Sequence, residues 1–215
     1  MKEPKLYKHS NGHQVWYLNG KVHREDGPAI IRPDGTQEWW LNSKLHRKDG
    51  PAIIEANGTQ KWYLNDRRHR EDGPAVIRSA GMQEWWLNDR LHRENGPAVI
   101  HSDGYQAWYL NGKCHRVTGP AIIVADGTQA WYLNGERHRK DGPAIIGADG
   151  SHVWCLNGKI HREDGPAVIW PNGDMEWWVK GNKIKEFKLS DFETQETILK
   201  TKTTIPIEKV IRRIV

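Results

Sequence analysis

Apolar and polar positions along this chain recur with a period of 23 residues. Trp16, Trp39, Trp62, Trp85, Trp108, Trp131, Trp154 and Trp177 mark the period, and Gly12 through Gly173 keep the same step. Each copy holds a short β-rich run, such as Ala29-Ile30-Ile31, and turns after it, as at Pro33-Asp34-Gly35, where Gly supplies a positive φ. A second strand is predicted over Thr36–Leu41, followed by an Asn-Ser, Asn-Gly or Asn-Asp turn. A short extended piece then ends in Arg-Glu-Asp-Gly-Pro or a close variant, where Pro bars continuation of ladder or helix. No stretch between turn signals has room for an ordinary helix. The unit is therefore a β-hairpin with a return loop.

Period-two alternation sorts the second strand into faces. Gln37, Trp39 and Leu41 share one, and Glu38, Trp40 and Asn42 the other. The Trp39 position is Trp in every copy, whereas the Glu38 position varies through Val, Glu, Lys and Ala. This predicts a buried Trp39 face and a wetter Glu38 face. Eight in-phase copies without an insertion predict stacked units with a fixed rise. The expected fold is all-β, an elongated array of stacked antiparallel β-hairpins, either an open sheet or a β-solenoid. The repeats are expected over residues 1–186, with a helical capping or docking segment over 187–215.

Composition sharpens this picture. Twelve Trp against two Phe place the heavy apolar mass at fixed intervals, which favours many small identical cores. Lys and Arg outnumber Asp and Glu by 32 to 27, a formal charge of +5 spread along the chain. Such a balance permits an anionic partner without requiring one. Cys114 and Cys155 occupy different phases of the repeat, which argues against a disulfide framework and for a reducing, cytoplasmic setting. The first residues show no apolar signal region, and no window is long and apolar enough to span a membrane.

The motif Trp-Tyr-Leu-Asn-Gly-Lys-x-His-Arg-x-Asp-Gly-Pro-Ala-Ile-Ile…Asp-Gly-Thr-Gln resembles a variant of the MORN repeat over about residues 6–186. It is closest to the form found in tandem arrays of phage and giant-virus proteins. The commonest MORN pattern has Gly where this chain has Arg after His. The resemblance implies a twisted single-layer sheet of hairpins used for protein or lipid contact. It also implies a phage or viral accessory protein working in the host cytoplasm and engaging a host protein.

The copies fade toward the C-terminus. Ile184 and Lys185 stand where His and Arg are expected. Ser190 and Glu193 form a capping box, which predicts a helix to about Lys200. A further helix from Pro206 would carry Ile207, Val210, Ile211 and Ile214 on one face, suited to capping the last strand edge, docking a partner or pairing two copies of the chain.

Three constellations are candidates for function. The second aromatic of each copy, Tyr17, Trp40, Tyr63, Trp86, Tyr109 and Tyr132, forms a row suited to partner binding, since Trp and Tyr dominate interface energetics. Mutual stiffening of the sheet is the competing role. The seven His-Arg pairs place Arg24, Arg47, Arg70, Arg93, Arg116, Arg139 and Arg162 in line. They could hold anions, nucleic acid or nucleotides among them, or they could tie each loop to its own turn. The His ladder does not suit a metal: two strand spacings separate successive His by roughly 9.5 Å, against about 2.1 Å from ligand to zinc. No catalytic constellation and no cofactor site emerges, and Cys114 reads as a filler thiol. The expectation is a non-enzymatic scaffold that binds a macromolecular partner.

Overall fold

The structure, a computed structural model, describes residues 3–191. The chain divides into two compact units, Met1–His138 and Arg139–Val215. In the first, one antiparallel sheet is laid down in chain order. Lys5–Lys8 lies beside Gln14–Leu18, then come Ile30–Ile31, Gln37–Glu38, Ile53–Ile54 and Gln60–Lys61, and the series continues to Gln129–Ala130. The second repeats the plan with Ile145–Ile146, His152–Val153, Val168–Ile169, Met175–Val179 and Asn182–Phe187. The fold is all-β, an array of consecutive antiparallel hairpins.

The second strand is not continuous. Gln37–Glu38 belongs to the sheet, whereas Trp40–Leu41 pairs with Lys44–Leu45 in a separate two-stranded ribbon. Trp39 lies between them, its N–H donating to Ala52 O and its C=O accepting from His46 N–H. One residue thus stands opposite the stretch from His46 to Ala52, and Arg47–Pro51 is extruded as a loop. The same pair of bonds recurs at Trp16, Trp62, Trp85, Trp108 and Trp154. Ribbons of successive copies are joined in turn, as where Arg47 N–H donates to Tyr63 O.

The burial pattern overturns the expected faces. Glu38 and Glu84 are only 4% and 8% exposed, and Thr36 and Thr59 beside them are buried too. The Trp39-type indoles are half-buried. The deepest residues form the Ala row from Ala29 to Ala167, each 0% exposed. The Ala carbonyls accept the backbone N–H of the Trp row, Ala29 from Trp16 and Ala52 from Trp39, and at zero exposure there is no free volume for a side chain larger than methyl.

The ribbon turns hold a left-handed pair such as Asn19-Gly20 or Asn65-Asp66, the two-residue type that matches strand twist. Where the second residue is not Gly, its side chain offsets the strain. Ser43 Oγ, Asp66 Oδ1 and Asp89 Oδ1 accept the N–H of Val22, Leu45 and Arg68 in the preceding ribbon, at 3.2, 2.8 and 3.1 Å. Asp66→Ala loses that bond and keeps the strain, so about 1–2 kcal/mol of stability is expected to go. Asp66→Gly exchanges the bond for relief of strain and is expected to stay within about 0.5 kcal/mol of the parent. Urea unfolding midpoints of the two variants check this.

At the far end the hairpin survives the fading motif. Met175–Val179 pairs with Asn182–Phe187, and Lys185 Nζ sits 4.7 Å from the Trp177 ring, the place Arg takes in earlier copies. Residues 189–191 are helical, and Leu189 N–H donates to Asp174 Oδ1. The rest of the helix expected from Ser190 and the apolar face of Ile207, Val210, Ile211 and Ile214 lie outside the described residues.

Candidate functional site

Each extruded loop is built around its Arg. The Arg24 guanidinium lies 4.3 Å from the centre of the Trp16 ring, and its Nη1 donates to Pro28 O. Gly27 closes the other side, since a Cβ there would come within 3.0 Å of Arg24 Cζ. The guanidinium is thus a plug between an indole and the loop backbone. The arrangement repeats at Arg47 over Trp39, Arg70 over Trp62, Arg93 over Trp85, Arg116 over Trp108 and Arg162 over Trp154, all between 3.8 and 4.3 Å. Arg139 donates from Nη1 to Pro143 O in the same way. Such stacking contributes about 0.5–2 kcal/mol per copy, depending on desolvation. His-Arg-x-x-Gly-Pro-Ala therefore encodes a plug, its seat and a buried anchor.

His joins copies together. Nδ1 of His23, His92 and His115 accepts the backbone N–H of Asn42, Asn111 and Asn134, at 3.1–3.2 Å, in the next turn. Each of these Nδ1 atoms also lies 3.0–3.2 Å from the Oδ1 of the same Asn, so side chain and backbone of the turn both converge on the ring. Nε2 of His23, His69, His92 and His161 lies 3.4–3.9 Å from the exposed Glu two residues on. Lys48 replaces that Glu after His46, and the buried His46 Nε2 is without a hydrogen-bond partner among the described residues.

The Arg row differs from copy to copy at one edge. Nε of Arg24, Arg70 and Arg162 donates to Asp26, Asp72 and Asp164, at 2.8–2.9 Å. These hydrogen bonds, and the charge behind them, hold the three carboxyls below the ordinary Asp range. Arg47 has Asp49 at the matching position but, among the described residues, no carboxylate within ion-pair distance. Asn95 and Thr118 stand there after Arg93 and Arg116.

Open grooves lie between some of the consecutive loops. One of about 630 Å³ runs between loop 24–28 and Trp39, Leu41 and His46–Asp49. Its successor, about 670 Å³, lies between loop 47–50 and Trp62, Leu64 and His69–Asp72. The second unit has one of about 490 Å³ between loop 139–142 and Trp154, Leu156 and His161–Asp164. Floors of Trp and Leu repeat, while the rims change with the loop tips. Glu25, Glu71, Glu94 and Glu163 have side chains 76–85% exposed, and Val117 takes the same tip position at 78%.

The second aromatic row sits elsewhere, at the start of each ribbon, and all six residues are half-buried. Tyr17 packs edge-on to Tyr7 at 5.4 Å, and Tyr63 lies opposite Arg68 in the ladder. Trp40 and Trp86 donate from Nε1 to Glu38 and Glu84 at 2.9 and 2.8 Å, and Arg68 stacks 3.6 Å from the Trp86 ring. Tyr109 pairs across from the buried Cys114, and Tyr132 Oη accepts from Arg137 Nε. Burial pushes the Cys114 thiol up to about 11, consistent with a packed filler. The carboxylates under Trp40 and Trp86 were missed in the sequence. The missed signal is pairwise: Glu38, Glu84 and Glu176 occur where the aromatic two residues on is Trp, never where it is Tyr.

Among the described residues no group of three or more His, Cys, Asp or Glu is placed to hold a metal ion. Among the same described residues no helix is long and apolar enough to cross a membrane. No protein-family model and no curated sequence matches the chain.

Proposed function

We propose that this chain is a non-enzymatic repeat scaffold that binds a protein partner along its row of loops and grooves. The observation that carries the reading is the division of labour inside each loop. Plug, seat and anchor are the same in all seven His-Arg loops, while the exposed tip runs Glu25, Lys48, Glu71, Glu94, Val117, Lys140 and Glu163. Constant framework with variable tips is how stacked repeats present a contact surface. The resemblance to phage and giant-virus arrays supplies the setting we propose, an accessory protein engaging a host protein. The second aromatic row is a second surface for the same partner, its rings only half-buried.

The test is selection from a displayed peptide and protein library against the immobilised chain, with affinity then followed from about 50 to 200 mM salt. Ligands that lose affinity when loop tips are substituted, and change less than about tenfold with salt, support the reading. An anion-held nucleic acid falls by far more over that interval. If the chain instead retains only oligonucleotides, or selects nothing sensitive to the tips, the proposal fails.

A further inference from the structure

The carboxylates of Asp26, Asp72 and Asp164 show what the outer edge of a stacked Arg accepts. Each sets Oδ1 2.8–2.9 Å from Nε while Nη1 stays on the Pro carbonyl. Arg93 and Arg116 are held identically, with Nη1 3.0 Å from Pro97 O and Pro120 O and indoles at 3.8 and 3.9 Å. Their Nε edge has no such occupant. Asn95 and Thr118 replace Asp, and no carboxylate among the described residues lies within ion-pair distance of either guanidinium.

Together the two loops carry fewer carboxylates than any other adjacent pair in the first unit. Loop 24–28 has a net charge of −1 and loop 47–51 of +1, with three carboxylates, Glu25, Asp26 and Asp49, between them. Loops 93–97 and 116–120 set Arg93 and Arg116 against Glu94 alone. At the tip of the second stands Val117, the most exposed large apolar side chain described, in a position otherwise Glu or Lys. Two fixed guanidiniums with an open carboxylate seat and an exposed apolar contact between neighbouring loops form a composite that no other adjacent pair in the first unit has.

We infer that loops 93–97 and 116–120 receive an acidic, extended peptide segment, whose carboxylates take at Arg93 and Arg116 the place that Asp holds in other copies. The inference rests on the protein-binding reading above. The guanidiniums are pre-oriented by indole and glycine, so binding costs them little rotamer freedom. Successive copies are two strand spacings apart, roughly 9.5 Å. A polyproline II segment repeats every three residues at about 9.3 Å, so acidic residues three apart meet both seats from one side. Val117 then packs on an apolar residue between them. Carboxylate chemistry is favoured over phosphate because the chain itself fills three equivalent seats with carboxylate, and because the surplus positive charge is small.

The experiment uses the full chain and a fluorescein-labelled peptide containing Glu-Pro-Leu-Glu, with Gln-Pro-Leu-Gln and a poly-dT oligonucleotide as competing probes. Binding by polarisation is expected for the Glu peptide and weakened at least tenfold for the Gln peptide. Asn95→Asp with Thr118→Asp restores the carboxylates of the other copies, so the variant is expected to fold as the parent does and to bind the Glu peptide at least tenfold more weakly. Equal binding to parent and variant overturns the inference, as does preference for poly-dT over the Glu peptide. If the Glu peptide fails while library-selected ligands still depend on other loop tips, this site is lost and the scaffold reading stands. If no tip-dependent ligand exists at all, both fall.

Discussion

Trp85→Ala is expected to lower the unfolding free energy of the chain by about 3–4 kcal/mol. Truncating a well-packed Trp ordinarily costs about 3–5 kcal/mol, and this ring is half-buried, which places it in the lower part of that range. Two further losses add to the transfer term. The Arg93 guanidinium, 3.8 Å from the ring, loses its stacking partner and is left with its bond to the Pro97 carbonyl. Ala98, whose carbonyl accepts the Trp85 N–H, is 0% exposed, and its methyl is too small to fill the space an indole leaves.

The effect is also expected to be local before it is global. Copies touch their neighbours only, so the deficit acts on the copies around Trp85 and on the coupling between them. Hydrogen exchange should show protection lost over residues 76–108 while amides near Trp39 stay protected. Trp85→Phe keeps an aromatic face for Arg93 and should lose no more than about half as much. A uniform loss of protection over the whole first unit, or a cost below about 1 kcal/mol, would show that the indoles are not the centres of the small cores.

Why these features were legible or hidden follows from what each residue does alone. The period, the hairpins and the left-handed turns at Asn19-Gly20 and Asn111-Gly112 are local, and Gly, Pro and Asn announce them. The break at Trp39 was hidden because a loop extruded opposite a single residue leaves no mark on the strand it interrupts. Arg47 looked like a charge available to a ligand because nothing in its own spacing reveals that Trp39 and Gly50 enclose it. Glu38 was assigned to solvent for a related reason. Its column varies, and variation read one column at a time suggests exposure. Read in pairs, the same variation is compensation. Arg32 meets Glu38 and Glu55 meets Lys61, the sign reversing together, and Arg78 again meets Glu84.

Those compensating pairs lead to the second prediction, an exchange of modules between copies. Glu38 is 4% exposed and its carboxylate is held by Arg32 on one oxygen and by Trp40 Nε1 on the other. The first copy solves the same position with Val15 and Tyr17, no charge and no indole N–H. Trp40→Tyr alone leaves a nearly buried carboxylate short of one donor and is expected to cost about 2 kcal/mol. Glu38→Val alone leaves the half-buried Trp40 N–H without its acceptor, at about 1–2 kcal/mol. Glu38→Val with Trp40→Tyr rebuilds the first copy's solution, and Arg32, already about half exposed, turns to water. The double variant is therefore expected within about 1 kcal/mol of the parent, giving a coupling of about 2 kcal/mol in a double-mutant cycle of urea midpoints. Simple additivity to within about 0.5 kcal/mol would mean that Glu38 and Trp40 occupy the copy independently, and that their co-occurrence at 84 with 86 and at 176 with 178 has another origin.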